Sequence, residues 1–374
     1  MKNNWQTKKL GEVCDKASSN VSQNQLANEN RTYPIYGASG FIKNVSFYHQ
    51  DKDYVSIVKD GAGIGRLTLQ PAYSSVIGTL QYLKPRENLN IRFFYYFLSS
   101  IDFLKYKNGS TIPHIYFKDY AIEPILVPSL FEQKRLVSII DKVFEGIDKA
   151  KENAEKNLQN ASELFESYLQ NVFAKPGKGW DEKKLGEMCI VERGSSPRPI
   201  DKYLTNEQDG VNWIKIGDTK GIDRYLYKTK EKITKEGAKK SRFVKEDDFI
   251  LTNSMSFGRP YIMKITGYIH DGWFVLRLNK NIENNYFYYL LISPYLQRQF
   301  SLLASGAIVK NISGDLVKKA IIPYPPLSEQ KTIVAKLDAL SAETKKLEAI
   351  YNQKLANLDE LRKSVLKKAF SGNL

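Results

Sequence analysis

Lysine and arginine residues that lie close to glycine and serine are the residues of this sequence whose types and spacing best suit the binding of a phosphate-containing ligand. Glycine lets backbone N–H groups approach phosphate oxygens, and hydroxyl groups supply further donors. Arginine can fork onto guanine, and asparagine can pair with adenine, from the major groove of DNA. The residues that we predict to contact DNA on these grounds are Lys43, Lys59, Arg66, Lys107, Ser110, Thr111, His114, Arg193, Ser195, Ser196, Arg198, Lys215, Lys220, Asn253, Ser254, Arg259, Lys310 and Asn311.

Most of these candidates lie in six loops, three in each half of the chain. The loops cover residues 36–40, 59–66, 107–111, 193–198, 253–259 and 305–311. Taken singly, each loop is better explained as an ordinary tight turn, because glycine and serine are common turn residues. Their recurrence in both halves of a basic chain favours DNA binding instead.

The charge balance points to the same kind of partner. The 374-residue chain has 56 Lys and Arg against 41 Asp and Glu, which gives a net charge of +15. A surplus of this size is typical of proteins that bind polyanions, and nucleic acid is the foremost of these. Some chains are basic without any such partner, so the charge supports DNA binding but does not decide it.

Several other classes of protein are disfavoured. A hydrophobic content of 42% argues against global disorder. The sequence has no run of 18 apolar residues that could span a membrane, and its first residues lack the apolar region of a secretory signal. Two cysteines cannot form a disulfide framework, so we expect a reducing, cytoplasmic location. The scattered His49, His114 and His270 make a histidine metal site an unfavoured interpretation.

Catalytic signatures are missing from the sequence. It contains no GxxxxGK[ST] phosphate loop, and the glycine-rich segment 61–65 opens no predicted helix, unlike a dinucleotide fingerprint. Glu132 with Lys134 and Glu329 with Lys331 superficially resemble nuclease pairs. Glutamate in the first turn of a helix also complements the helix dipole, and that is the preferred explanation. We therefore expect a chain without catalytic residues, metal or cofactor of its own.

The sequence contains an internal repeat. Trp5 with the KKLGEVC that follows it recurs 175 residues later as Trp180 with KKLGEMC. The segment PSLFEQKRLV from Pro128 recurs 197 residues later as PPLSEQKTIV from Pro325. Gene duplication followed by divergence in the middle of each copy explains both offsets.

Each repeat ends in a predicted long amphipathic helix. Apolar residues recur at steps of three and four over about five heptads, a spacing typical of a coiled-coil seam. The seam residues are Leu136, Ile140, Val143, Ile147, Ala150, Ala154, Leu158, Ala161, Leu164, Tyr168 and Val172, and then Ile333, Leu337, Leu340, Thr344, Leu347, Tyr351, Leu355, Leu358, Leu361, Val365 and Ala369. Because an apolar stripe must be buried, we predict that the two helices pair as an antiparallel coiled coil. Two separate surface helices are the alternative.

The remainder of each repeat is typical of a β-rich core with a few helices. Short β-rich runs alternate with turn signals, and aromatic helices are predicted at 91–100 and 286–292. The predicted fold is mixed α/β (α+β), with two globular domains separated by the antiparallel coiled coil and related by a pseudo-two-fold repeat. The predicted divisions are 1–127 for the first globular domain, 128–175 for the first helix, 176–323 for the second domain and 324–374 for the second helix.

These features together resemble the specificity subunit of Type I restriction–modification systems, over essentially the whole chain. The resemblance rests on the duplicated Pro-x-Leu-x-Glu-Gln-Lys segments from Pro128 and Pro325, with a helix of constant length behind each. It also rests on the Leu-Gly-Glu segments at Leu10 and Leu185 and on WIKIGD from Trp213.

The resemblance implies two target-recognition domains, each reading one half of a bipartite, asymmetric site in double-stranded DNA. The long helices would separate the domains and dock methyltransferase subunits, of which we expect two. In that family the assembly methylates adenine with S-adenosylmethionine, and a restriction subunit cleaves DNA after ATP-driven translocation. The resemblance therefore implies S-adenosylmethionine, ATP and Mg²⁺ on partner subunits, no cofactor in this chain and no membrane partner.

Three other functions stay open. A free-standing DNA-binding regulator would bind a specific site without any methyltransferase. A coiled-coil scaffold with peptide-binding heads would lack affinity for duplex DNA and would present an apolar stripe outward. An enzyme with an unrecognised site would show activity in the isolated chain.

Overall fold

The computed structural model of the chain describes residues 5–26, 32–253, 258–279, 281–304 and 313–373. The chain divides into two compact units. Unit 1 comprises residues 1–156 and 352–374, and unit 2 comprises residues 157–351. Each unit therefore contains a globular part and a portion of both long helices.

Unit 1 combines two small sheets with short helices. Its strands are β1 (Gln6–Lys9), β2 (Cys14–Ser18), β3 (Tyr33–Gly37), β4 (Gly40–Val45), β5 (Tyr54–Val58), β6 (Leu67–Gln70), β7 (Ser75–Val76), β8 (Leu80–Pro85) and β9 (Pro124–Val127). Its helices are α1 (Leu10–Val13), α2 (Ile91–Ser99), α3 (Phe117–Tyr120) and the first part of α4 (Leu130–Ala174). One sheet is antiparallel with the order β2-β8-β5-β6, and the other has the order β4-β3-β7. Strand β1 pairs antiparallel with β9.

The aromatic helix α2 joins the head of unit 1 to its long helices. The Asn90 side chain caps α2 by accepting hydrogen bonds from the next backbone N–H groups, which fixes where the helix begins. Phe93 and Phe97 of α2 are buried in one core with Leu136 and Ile140 of α4. Because this core is continuous, the head and the long helices of unit 1 are stabilised together.

Unit 2 is built on the same plan with larger sheets. Its strands are β10 (Asp181–Lys184), β11 (Cys189–Arg193), β12 (Leu204–Thr205), β13 (Val211–Ile214), β14 (Tyr225–Leu226), β15 (Glu231–Ile233), β16 (Arg242–Val244), β17 (Phe249–Thr252), β18 (Pro260–Met263), β19 (Gly267–Ile269), β20 (Trp273–Leu278) and β21 (Ile321–Tyr324). Its helices are α5 (Leu185–Met188), α6 (Lys235–Ala238), α7 (Asn284–Ile292), α8 (Pro294–Ala304), α9 (Gly314–Lys319) and part of α10 (Leu327–Phe370). The sheets have the orders β11-β20-β17-β18-β14 and β12-β15-β13-β19-β16, and β10 pairs with β21.

Helix α7 occupies the place in unit 2 that α2 occupies in unit 1. Glu283 caps it by accepting a hydrogen bond from the backbone of Tyr286, at 2.6 Å. Phe287 of α7 is buried in one core with Leu169 of α4 and Leu337 of α10. The head of unit 2 thus also shares its core with both long helices.

Helices α4 and α10 run antiparallel. In unit 1, Asp148 pairs with Arg362 at 2.7 Å and Lys151 pairs with Asp359 at 2.6 Å, so a step forward along α4 is a step backward along α10. In unit 2, Ser162 of α4 donates a hydrogen bond to a carboxylate of α10 in the same register. The predicted mixed α/β fold with a pair of long antiparallel helices is confirmed.

The predicted heptad seam is wrong at several positions, because Leu164, Leu347 and Leu361 are exposed. After Ala161, the buried residues of α4 are Leu169 and Phe173, with Phe165 packed at the edge of the core. A straight α-helix has 3.6 residues per turn, so its buried face drifts away from a strict seven-residue repeat. In α10, Leu361 is exposed and Leu366, which is not a predicted seam residue, is buried, whereas Ala369 is buried as predicted.

Among the described residues, no helix combines the length and apolar character needed to cross a bilayer.

Candidate nucleic-acid interface

The two units use one framework to hold their loops. Tyr96 of α2 donates a hydrogen bond to Asp141 of α4, and Tyr289 of α7 donates one to Asp338 of α10. Asp338 lies 197 residues after Asp141, which is the offset of the long-helix repeat. Strand pairs β1–β9 and β10–β21 are likewise equivalent and have the same antiparallel register. The loops with the predicted DNA-contacting residues therefore differ between the units while their support does not.

In unit 1, two predicted residues, Lys59 and His114, meet around Asp60. Lys59 Nζ lies 2.7 Å from Asp60 Oδ2, and His114 Nδ1 lies 2.7 Å from Asp60 Oδ1. The backbones of Asn108 and His114 exchange two hydrogen bonds of 2.8 Å, which closes the 107–114 loop. We call Lys59, Asp60, Asn108 and His114 the Asp60 cluster.

Backbone geometry explains why these loops adopt their shapes. Gly109 has a φ of +83°, and an added Cβ would lie 2.5 Å from the Ile112 carbonyl oxygen. Only glycine fits such a position without strain. Arg66 Nη1 donates to the Ala38 carbonyl oxygen at 2.9 Å, so the 59–66 loop also contacts the turn between β3 and β4.

The Asp60 carboxylate is held by partners on both sides. Burial raises the pKa of Asp60, but hydrogen bonds from His114 and Lys59 outweigh it and hold the pKa below its ordinary value. The carboxylate therefore stays ionised at neutral pH. These bonds to Asp60 orient the side chains of Lys59 and His114.

The other predicted residues of unit 1 lie around this cluster or apart from it. Lys107, Ser110 and Thr111 are exposed on the loop that also contains His114. Among the described contacts, Asp60 is bonded to His114 and not to the side chains of these three residues. Lys43 lies on β4, and its Nζ donates to the Leu26 carbonyl oxygen at 3.2 Å. Lys43 is thus held to another segment of the unit.

In unit 2, four predicted residues converge on Asp271. Ser196 Oγ donates to Asp271 Oδ1 at 2.7 Å, and Arg198 Nη2 lies 3.3 Å from Oδ2. Asn253 Nδ2 donates to the Asp271 carbonyl oxygen at 2.7 Å, and Arg193 Nε donates to the same oxygen at 3.3 Å. We call these five residues the Asp271 cluster. The hydrogen bond from Ser196 holds the pKa of Asp271 below its ordinary value, so this carboxylate is also ionised.

A close approach of two backbones creates the Asp271 cluster. An added Cβ on Gly194 would lie 2.1 Å from the His270 carbonyl oxygen, a distance that no side chain allows. The Gly194 N–H also donates to the Trp273 carbonyl oxygen at 2.8 Å. The end of β11 therefore passes directly over the turn between β19 and β20, and Ser196 reaches Asp271.

A cavity of about 600 Å³ opens beside this cluster. Its lining is mainly apolar, with Lys215 and His270 among the polar side chains. Lys215 also forms an ion pair with Glu231 of β15. Both ring nitrogens of His270 face backbone N–H groups, those of Ile216 at 3.2 Å and Gly272 at 2.8 Å. Burial lowers the pKa of His270, in keeping with a neutral ring.

The remaining predicted residues of unit 2 do not join the cluster. Ser195 Oγ donates to the Lys240 carbonyl oxygen at 3.0 Å, and Arg259 Nη2 donates to the Ile222 carbonyl oxygen at 3.3 Å. Lys220 is exposed after the 3₁₀ helix Ile216–Thr219. The candidates Ser254, Lys310 and Asn311 lie outside the described residues.

Sequence reasoning missed the two carboxylates at the centres of these clusters. It selected cations, hydroxyls and amides, whereas Asp60 and Asp271 are what organises them. Asp60 directly follows Lys59 and lies within the predicted loop 59–66, so it could have been included. No local signal marks Asp271, because its partner Ser196 lies 75 residues away along the chain.

Within the described ranges, no group of three or more His, Cys, Asp or Glu side chains is arranged to hold a metal ion.

Comparison with protein families matches residues 2–158 and 177–357 to the family described as Type I restriction modification DNA specificity domain. Curated relatives include the specificity subunit of the Type I restriction enzyme MjaVIII from Methanocaldococcus jannaschii, 24% identical over 370 residues that cover 90% of this chain and 83% of the relative. The EcoDI specificity subunit from Escherichia coli is 22% identical over 409 residues, which cover 99% of this chain and 88% of the relative.

Solved structures share the fold. A chain from work on the complex assembly and conformational transition of the type I R-M system superposes with a TM-score of 0.80 at 22% identity, covering 100% of this chain and 99% of that one. The HsdS subunit from Thermoanaerobacter tengcongensis gives a TM-score of 0.58 at 21% identity, with coverages of 100% and 98%. At such identities the likeness concerns the fold alone.

Proposed function

This chain belongs to the family of Type I restriction–modification DNA specificity subunits, and from that premise we propose that it reads a bipartite, asymmetric DNA site and directs partner subunits to it. Unit 1 reads one half of the site and unit 2 the other. The partners are two adenine-methyltransferase subunits and a restriction subunit. The chain itself is non-catalytic and cytoplasmic, and S-adenosylmethionine, ATP and Mg²⁺ bind to the partners.

One observation carries this proposal: the same framework supports unlike loop clusters in the two units. The framework bonds of Asp141 and Asp338 are equivalent. The clusters in the two units differ, since Lys59 and His114 surround Asp60 whereas Ser196 and Arg198 surround Asp271. Equal supports with unequal contact residues suit a protein that reads two different half-sites.

The predicted residues divide into two roles on physical grounds. Exposed cations such as Lys107 and Lys220 neutralise phosphates, which gives affinity that falls with rising salt and carries no sequence information. Residues held within the clusters present hydrogen-bonding groups in fixed directions, which is what recognition of base edges requires.

We further propose that α4 and α10 determine the number of base pairs between the half-sites. Adding seven residues to each helix lengthens it by about 10 Å at 1.5 Å per residue. At about 3.4 Å per base pair, the tolerated spacer should grow by about three base pairs. Both half-sites should stay unchanged, and altered half-sites would contradict this part of the proposal.

The decisive experiment is methylation-motif sequencing of a host that expresses the chain with a methyltransferase subunit of its own system. We expect a split motif with a constant gap and unlike halves. A continuous motif would refute a bipartite site. Specific binding by the chain alone, with no co-purifying methyltransferase, would favour a free-standing regulator, and absence of affinity for duplex DNA at moderate salt would favour a scaffold.

A further inference from the structure

The Asp271 carboxylate is a negative charge at the centre of a surface proposed to face DNA. Its side chain is 43% exposed, so it is open to a ligand as well as bonded to its neighbours. Phosphates repel a carboxylate in such a position. The charge is tolerated at a DNA interface where it keeps partners in the protein or meets a hydrogen-bond donor on the nucleic acid.

The two bonds of this carboxylate differ in strength. Ser196 Oγ holds Oδ1 at 2.7 Å, whereas Arg198 reaches Oδ2 at 3.3 Å with a side chain that is 80% exposed. The first distance is that of a good hydrogen bond, and the second lies beyond the usual range. Ser196 therefore orients the carboxylate, while Oδ2 is available for exchange of its partner.

The cavity beside Asp271 suits a flat, mostly apolar ligand with a polar edge. Pro197, Pro199, Ile200 and Trp213 supply apolar lining, and the carboxylate lies at the same cavity. A predominantly apolar pocket with a few placed polar groups is typical of a specific binding site. The major-groove edge of a base pair combines atoms of both kinds, because polar groups lie beside the apolar C5 position of cytosine or the C5-methyl group of thymine.

Base chemistry identifies the donor. In the major groove, cytosine presents its N4 amino group and adenine its N6 amino group, whereas guanine and thymine present carbonyl oxygens at the corresponding place. A carboxylate accepts a hydrogen bond from an amino group and repels a carbonyl oxygen. An ionised Asp271 therefore distinguishes amino bases from keto bases.

We propose that Asp271 is a specificity-determining residue that accepts a hydrogen bond from the exocyclic amino group of cytosine or adenine at one position of the half-site read by unit 2. Arg198 leaves Oδ2 on binding and contacts the DNA, and Ser196 keeps the carboxylate oriented. This inference rests on the proposed function and adds the identity of one reader and the class of base that it reads.

The test uses the full chain, assembled with its methyltransferase subunits, and a duplex library randomised over both half-sites. For the native chain, one half should contain a specified base pair whose cytosine or adenine lies on the strand that Asp271 contacts, and that base pair is the one that Asp271→Asn should alter. Asp271→Asn replaces an acceptor-only group by one that also donates, so guanine or thymine should become acceptable there. The preference for amino bases should fall by about tenfold, the size of one good base contact. The other half and the spacer should not change.

Two further variants separate base reading from structural support. Asp247→Asn changes another exposed carboxylate of unit 2, which pairs with Lys264, and it should leave the motif unchanged. Ser196→Ala removes the orienting hydroxyl but keeps the charge, so it should weaken methylation without altering which base is chosen. If Asp271 had only a structural role, Asp271→Asn would lower methylation and leave the motif unchanged.

Each outcome has one meaning. A split motif that Asp271→Asn leaves unchanged overturns this inference and leaves the proposed function standing. A continuous motif from the native chain overturns the proposed function, and the inference with it. If Asp271→Asn fails to fold, as judged by circular dichroism, the native chain is tested instead on duplexes in which purine replaces adenine, or 2-pyrimidinone replaces cytosine, at each specified position of that half in turn. Loss of the amino group should weaken binding about tenfold at one position, and unchanged binding at all of them overturns the inference.

Discussion

Gln133 of α4 and Gln330 of α10 make the same three hydrogen bonds in their respective units. The Oε1 atom of Gln133 accepts a hydrogen bond from the backbone N–H of Asn90 at 2.7 Å, and that of Gln330 accepts one from the backbone N–H of Glu283 at 2.8 Å. Each donates through Nε2 to two carbonyl oxygens, one of them five residues earlier, just before its own helix begins. Both side chains are fully buried. The glutamine of the repeated Glu-Gln-Lys segment thus ties each long helix to the loop before the aromatic helix.

Replacing either glutamine by alanine should destabilise its own unit. Gln133→Ala leaves buried backbone groups without partners, at about 1–3 kcal/mol for each group left unpaired. Hydrogen–deuterium exchange should therefore accelerate in α2 for Gln133→Ala and in α7 for Gln330→Ala. The matched control is Gln159→Ala, since Gln159 is exposed on α4 and its side chain donates to Glu163 on the same helix. Equal exchange in all three variants would show that the buried amides have no such role.

The drift of the buried face along α4 predicts that two nearby leucines contribute very differently to the free energy of unfolding. Leu169→Ala removes a side chain that is 2% exposed and should cost about 2–5 kcal/mol. Leu164→Ala removes one that is 54% exposed and should change the free energy of unfolding by about 0.5 kcal/mol or less. Chemical denaturation of the full chain, followed through the transition of unit 2, measures both. Comparable losses would mean that the heptad seam does continue through Leu164.

The close approach of the end of β11 to the turn after β19 predicts that Gly194→Ala destabilises unit 2. Its Cβ would meet the His270 carbonyl oxygen, and backbone atoms cannot move aside cheaply. We expect a loss of about 1–3 kcal/mol, typical of overpacking. Gly217→Ala is the matched control, because nothing lies within 4 Å of its added Cβ. Thermal melts monitored by tryptophan emission should separate the variants, and a normal Gly194→Ala melt would contradict the prediction.

His270 should make unit 2 less stable as the pH falls through the ordinary histidine range. Burial lowers its pKa in the folded chain, although nearby Asp271 acts in the opposite direction and Lys215 in the same one. The unfolded chain therefore binds the extra proton first, near its ordinary pKa of 6.5, and stability declines as the pH falls below that value. The facing N–H groups of Ile216 and Gly272 also disfavour the protonated ring, because a neutral imidazole can accept from one of them, whereas an imidazolium can accept from neither.

Hydrogen–deuterium exchange of residues 267–278 between pH 7.5 and 5.5, corrected for intrinsic exchange rates, measures this dependence. His270→Gln should remove it, and helix α2 of unit 1 serves as the internal reference. The window lies above the range in which Asp271 titrates, since the pKa of that carboxyl is lowered. An identical pH dependence in the native chain and in His270→Gln would exclude His270 as its source.

The candidate clusters could be predicted only in part. The sequence identified the loops of Lys59, His114, Ser196 and Arg198, because glycine, serine and cations are local features. It did not identify which loops meet, because that depends on the order of strands in each sheet. Arg259 shows the same limit, since its loop chemistry matched the others but its guanidinium points to Ile222.

The amino-acid sequence by itself determined the duplication, the mixed α/β class and the two long helices, because repeats and periodicities are properties of neighbouring residues. The tertiary structure alone decided which helix faces are buried and which side chains gather around Asp60 and Asp271. Those outcomes depend on contacts between residues many positions apart. They follow from how strands pair and how closely two backbones approach, as at Gly194 and His270, and no local pattern encodes either.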